Sequence, residues 1–428
     1  MRHWVLLLVL CWGSLAQAQL EIEIVQGNAS QLPIAVVPFA WRAAGPPPET
    51  GVADVVAADL YRSGLFAPMA EQDMVDLPQD AEAIRFGTWR LLKVDYILIG
   101  WVNDSPNGGY DIVYQLFDVH TQERLLSQIT SVGPGDLRFG SHRVADAVYE
   151  KLTGVPGAFA TRIAYVSATG EGASLSYELV VADADGHGPI TVVGSPEPLL
   201  SPNWSPDGSR LAYVSFEEGN SAIWIQEVAT GARERISAGV GINGAPSFSP
   251  DGRFLALTLS RSGNPEVYVR ELASGQTRQL TNHWAIDTEP TWSPDGNTIY
   301  FTSDRSGRPQ IYAVDAAGGS ARRITREGDN NARASISPDG RKVAVANGRG
   351  NEYRIAIWDL ETQRLRVLTP GKLDESPSFA PNGSMILYAT REGTRGVLSA
   401  VSADGNVRQR IILSQGDVRE PAWSPVIR

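Results

Sequence analysis

Residues 289–312 read EPTWSPDGNTIYFTSDRSGRPQIY, and the centre of that stretch, Trp292-Ser293-Pro294-Asp295-Gly296, decides the fold. Pro294 presets φ for the first corner of a type I turn, Asp295 can bond its own backbone there, and Gly296 takes the left-handed position. An apolar run, Ile299–Thr302, leaves the turn, so the unit reads as a β-hairpin.

The same unit begins at Trp204, Phe248 and Ile336, recurs as Phe379-Ala-Pro-Asn-Gly383, and ends in a truncated copy, Trp423-Ser-Pro425. Successive copies start 43 or 44 residues apart. A fixed period in that range with several short strands per copy is the signature of propeller blades. The copy at Trp292 predicts four strands, Thr291–Ser293, Thr298–Ser303, Gln310–Asp315 and Ala321–Thr325. The ends of the array complement each other. Ile163–Ser167 resembles a second strand without a first, and Trp423–Pro425 a first strand without a second. Pairing them closes a six-bladed ring and removes the sheet edges that invite aggregation.

Upstream, Leu32–Phe39 and Tyr96–Val102 read as buried strands, Tyr110–Asp118 and Arg124–Val132 as a hairpin, and 50–63, 80–93 and 136–152 as helices. The expectation is an α+β multi-domain chain: a small α/β domain over 32–153, a linker over 154–160, and a six-bladed β-propeller over 161–428 closed by its C-terminal strand. Met1–Ala18 has the charged end, short apolar core and Ala16-Gln17-Ala18 site of a secretory signal. Cys11, the single cysteine, falls inside it, so the exported chain is expected to lack disulfides and cysteine-based metal sites. Residues 19–31 then form a tail in which Leu20, Glu21, Ile22, Glu23 and Ile24 alternate apolar and acidic residues. That pattern suits an edge strand or frayed end of the first domain, or a strand offered to a partner's sheet.

At 428 residues and a formal charge of −11, the chain is long enough for two domains and the wrong sign for nucleic acid. Catalytic motifs are scarce. There is no Gly-x-Ser-x-Gly elbow, no Gly-rich phosphate loop after a strand, and no pair among the five histidines at ligand spacing. What remains is the set of loops entering each first strand, which gather around one mouth of the central channel. Asp287, Glu289, Asp329, Asp374, Glu375, Asp417 and Glu420 would give that mouth an acidic rim. Three readings stay open: solvated surface, a docking face for a protein partner, or a Ca²⁺ site in the channel.

The signal, the α/β domain beginning LPIAVVPF and the blades carrying TEPTWSPDG and SDRSGRPQIY together resemble the TolB family, over essentially the whole chain. The resemblance implies a non-enzymatic periplasmic adaptor of the Tol–Pal system. Its propeller face would bind the lipoprotein Pal, its N-terminal segment would bind TolA, and colicins and other outer-membrane proteins are possible further partners. The family supports outer-membrane integrity and constriction at cell division. Carried over by motif, the Pal-facing residues are Asn243, Gly244, Ala245, Asp287, Thr288 and Glu289, with Ile242 standing where relatives often carry His. The TolA-binding segment corresponds to Leu20–Asn28. The rival reading is a secreted propeller enzyme, a lyase or hydrolase, acting on cell-wall sugars through channel carboxylates.

Overall fold

A computed structural model describes residues 21–26, 31–412 and 416–427; the expected signal with Cys11, Leu20, Gly27 and Asn28 lie outside the described residues. In the first domain Leu32–Val36 pairs in parallel with Phe66–Pro68 and Tyr96–Asp104, and Tyr110–Asp118 and Arg124–Val132 extend the sheet antiparallel. Helices Val52–Arg62 and Leu137–Thr153 cover one face, burying Val56, Leu60, Val144 and Val148 against Ile34, Leu98 and Ile112. Asp54 accepts the Gly51 N–H at 2.8 Å and so starts the first of these helices. The opposite face is filled by Trp89, Ile97 and Ile99.

The helix expected over 80–93 is shorter. Asp80 accepts the Ala83 N–H at 3.0 Å and caps a 3₁₀ turn at Ala81–Ala83, Arg85 leaves helical geometry, and only Phe86–Leu91 is α-helical. The local Asp cap competes with continuous helix and wins.

Six four-stranded antiparallel sheets follow, with blades I to VI in chain order. In blade II the hairpin turn shows what the repeat encodes. Ser205 Oγ donates to Asp207 Oδ1 at 2.6 Å, Asp207 Oδ1 accepts the Ser209 N–H at 3.0 Å, and Gly208 takes φ +70°. The Ser249–Asp251 and Ser337–Asp339 pairs repeat it at 2.6 and 2.5 Å. Blades are stitched through the same positions: Trp292 Nε1 donates to Ser247 O at 3.0 Å, and Phe248 N to Asn203 Oδ1 at 2.9 Å. Both rings are buried between sheets, each contributing about 2 kcal/mol.

Asp417–Trp423 pairs antiparallel with Arg162–Thr169, from Asp417 opposite Ala168 to Trp423 opposite Ile163, so the ring closes as the sequence predicts. Arg162 N donates to Ser424 Oγ, and Ser424 N to Arg162 O, both at 2.8 Å.

First strands begin earlier than expected. In blade IV the strand is Asp287–Trp292, so Asp287, Thr288 and Glu289 belong to the sheet and not to a loop. The ladder survives because a register shift between Thr288 and Thr291 accommodates Glu289 at φ +55°.

The α/β domain sits on the hairpin-turn face of the propeller. Asn382 Nδ2 donates to Pro156 O at 2.8 Å, Gln409 Nε2 donates to Arg62 O, and a 280 Å³ cavity bordered by Leu65, Phe159, Met385 and Val407 lies in the seam. Each first strand runs from its entry loop to this turn, so the entry loops lie on the opposite, uncovered face.

The tail does not join the α/β sheet. Glu21–Gln26 adds as a fifth, antiparallel strand to blade VI, from Glu21 opposite Ile412 to Gln26 opposite Arg408, with an irregularity after Ile24.

Candidate partner-binding face and tail

One residue per first strand is left-handed without being glycine: Ser201, Ala245, Glu289, Arg333, Ser376 and Glu420, with φ between +46° and +55° in all six. Such a backbone costs roughly 1–2 kcal/mol per residue and persists only where its surroundings enforce it. Here the bulge aims each residue into the channel, where all six border a 140 Å³ mouth.

At this mouth two carboxylates share one guanidinium. Arg333 Nε donates to Glu289 Oε1 at 3.0 Å, and Arg333 Nη1 reaches across to Glu420 Oε1 at 2.7 Å. Glu289 Oε2 also accepts from Thr302 Oγ1 at 2.8 Å and from Arg333 N at 3.1 Å, while Glu420 Oε2 accepts Ser201 N at 2.9 Å. Burial works against the Arg333 charge, yet Glu420 and Glu289 outweigh it and hold the guanidinium protonated. Glu289 and Glu420 are therefore committed to Arg333, and a Ca²⁺ ion on them would have to displace it.

The rest of the expected acidic rim is largely internal. Asp287 is fully buried against Arg305, whose Nη2 donates to Asp287 Oδ2 at 2.5 Å. Asp374 is buried and accepts from Thr369 Oγ1 at 2.5 Å; burial, opposed by its hydroxyl donors, raises its pKa. Asp417 is tied to Arg419 and to the Gly396 N–H. Only Asp329 and Glu375 stand exposed. Asn243 is likewise an anchor, accepting from Ser237 Oγ at 2.8 Å and donating Nδ2 to Gly239 O at 3.3 Å. Gly244, Ala245 and Thr288 are partly accessible beside it.

What these anchors hold up is apolar. Val240 is 95% exposed and Trp284 78%, with Ile242 and Ile286 about half exposed on the same two neighbouring entry loops. Trp284 is presented rigidly. The buried carboxylate of Glu266 accepts the His283 N–H at 2.6 Å, Asn264 Nδ2 donates to the carbonyls of His283 and Ala285 at 2.8 and 2.6 Å, and the His283 ring lies 5.1 Å from the indole. Sequence reasoning found the loops by repeat spacing and named Ile242 but missed Val240, Trp284 and Ile286, since a Trp outside the SPDG repeats reads as core until the blades are placed.

Facing them, blades V and VI carry eight-residue second and third strands, Lys342–Arg349 with Glu352–Asp359 and Met385–Glu392 with Arg395–Ser402, against six in blades II to IV. The ends of those strands, Arg349, Glu352, Glu392 and Arg395, make a charged wall opposite the apolar shelf, with the channel mouth that Arg333 bridges between them. Among the described residues no helix is long and apolar enough to cross a membrane.

Comparison with known proteins gives consistent matches. Residues 149–427 match the profile of the TolB beta propeller domain, and residues 20–125 that of the TolB amino-terminal domain. The Tol-Pal system protein TolB of Xanthomonas euvesicatoria pv. vesicatoria is 59% identical, over 98% of this chain and 96% of that protein. The corresponding protein of Xanthomonas campestris pv. campestris is 60% identical over the same shares. The crystal structure of TolB from Acinetobacter baumannii superposes with a TM-score of 0.86 at 43% identity, covering 95% of this chain and all of that one.

Proposed function

We infer the function from membership: this chain belongs to the TolB family, and is a component of a Tol–Pal system. It acts in the periplasm as a non-enzymatic adaptor. The uncovered propeller face docks the lipoprotein Pal, the segment Leu20–Asn28 engages TolA, and colicins use the same face. The coupling of the two partners supports outer-membrane integrity and constriction at division.

The observation that carries this reading is the shelf of Val240, Ile242, Trp284 and Ile286, exposed on loops that buried Asn243 and Glu266 and half-buried Asn264 hold in place. A well-anchored aromatic beside aliphatics, ringed by polar groups, is the make-up of a protein-interface hot spot. The channel carboxylates Glu289 and Glu420 are both bound to Arg333, an arrangement that favours docking over acid–base work. The tail's docking on blade VI supports a further step, in which Pal binding changes how readily the tail is released to TolA.

The test is a titration of purified wild-type and Trp284→Ala protein with the soluble domain of the lipoprotein. Affinity falls at least about thirtyfold in the variant, equivalent to 2 kcal/mol. Unchanged affinity removes the shelf as the docking site, and absence of any wild-type binding removes the adaptor reading. TolA affinity measured with and without saturating Pal decides the coupling, and an unchanged value abolishes it.

A further inference from the structure

The seam between the α/β domain and blade I buries a cluster of charge that the docking face does not use. His142, on helix Leu137–Thr153, is 1% exposed, and its Nδ1 lies 2.6 Å from Asp59 Oδ2 on helix Val52–Arg62. Asp59 Oδ1 accepts from Arg62 Nε at 2.9 Å. On the propeller side, Asp183 Oδ2 and Asp185 Oδ2 each stand 3.9 Å from His142 Nε2, and Arg138 pairs with Asp185. Nε2 has no hydrogen-bond partner among the described residues. Arg162 acts on Asp183 from blade I, and Asp146, on the histidine's own helix, holds the Phe159 and Ala160 N–H groups of the linker at 2.7 and 3.1 Å.

We propose that His142 is a proton-operated latch: charged, it clasps Asp59 on one domain and the Asp183–Asp185 turn on the other; neutral, it lets the seam and the tail's docking strand loosen. The link to the tail is a run of direct contacts. His142 holds Asp59, Asp59 holds Arg62, the Arg62 carbonyl accepts from Gln409 Nε2, and Gln409 is the residue opposite Ile24 in the tail's ladder.

The charge balance supports the latch. Burial disfavours the imidazolium, but the charge and hydrogen bond of Asp59, and then Asp185, outweigh burial and the opposing Arg62, so the His142 pKa is raised. A raised folded pKa means that its stabilisation is complete below the unfolded value near 6.5 and lost as pH rises through the folded value. Burial also lifts Asp146 to about 6 despite its two N–H donors, so the burden of its ionisation is largely in place below the window in which His142 loses its proton. A divalent metal is the competing occupant of this acidic pocket. Arg138 argues against it, because its guanidinium already bonds Asp185 and lies 3.7 Å from Asp183.

The latch is independent of the tail's partner; its consequence for TolA rests on the reading above. The test is amide hydrogen exchange on the full chain at about pH 6.5 and about pH 9.5, each rate divided by its intrinsic value at that pH. In wild type, protection at Phe159, Ala160 and Ile22–Ile24 falls at least about tenfold on going to the higher pH. In His142→Gln it is low at both. Protection that does not change with pH in wild type, or that falls equally in His142→Gln, overturns the latch. A fall at the linker with none at Ile22–Ile24 overturns its extension to the tail. Restoration of high-pH protection by micromolar zinc overturns the proton in favour of a metal. Should His142→Gln not fold by circular dichroism, Asp185→Asn serves in its place and must shrink the wild-type pH effect; an undiminished effect there also overturns the latch.

Discussion

Arg333 adopts a left-handed backbone at φ +54° to bring one guanidinium between Glu289 and Glu420. Removing it leaves two carboxylates facing each other in a narrow channel. Arg333→Ala should therefore lose about 2 kcal/mol in denaturant unfolding, less than a fully buried pair would because the side chain keeps some access to water. Adding Glu289→Gln to that variant should recover part of the loss, and a further drop would show that the two carboxylates do not repel. The loop anchor Asn243 makes a similar test. Asn243→Ala strands the Ser237 hydroxyl and costs about 1–2 kcal/mol, with weakened lipoprotein binding as the loop loosens. At this scale the sequence was only partly legible. Repeat spacing placed Glu289 at the mouth, because the turn at the end of the same strand is chemically distinctive, and the family resemblance supplied Asn243-Gly244-Ala245. Arg333 and Trp284 carry no local signal; their roles exist only once a ring has formed around them.

Among the elements, Asp417–Trp423 was readable and the tail's position was not, for one physical reason. The closing strand is a copy of a repeat, so its place in blade I follows from the other five copies. Glu21–Gln26 copies nothing, and its alternation specifies a strand without specifying whose edge it joins. The helix expected over 80–93 failed similarly, since apolar spacing cannot report that Asp80 caps its own short turn. Two consequences can be measured. A chain ending at Gly416 leaves Arg162–Thr169 without its neighbour and should lose cooperative unfolding and associate through that edge, seen as oligomers in sedimentation. The double variant Ile22→Pro and Ile24→Pro removes tail ladder donors and should expose residues 21–26 to protease while the unfolding midpoint of the propeller stays put.

For the molecule as a whole, pH acts from two sides. The hairpin-turn aspartates have lowered pKa values: in Asp207 and Asp251 the serine hydroxyl is the largest cause, and in Asp339 burial is outweighed by the same hydroxyl and the Arg341 N–H. Asp185 is carried to about 2, burial being overcome by Arg62, His142 and Arg138. Depressed carboxylates lend stability above their unfolded value near 4, and that stability is lost as pH falls through the folded value. The melting temperature should therefore drop between about pH 4 and pH 2, and a flat profile there would mean that the turns do not hold the ring.

Arg162 and Trp423 are partners in one blade although nearly the whole propeller separates them along the chain. A polypeptide made from its N-terminus delivers one half of that sheet first and the other half last. Until the final segment emerges, blade I is an unfinished sheet and the loops of the six blades have no common axis to surround. A molecule lacking that strand then has no closed docking surface to display, so the keystone strand doubles as a check that the ring is whole.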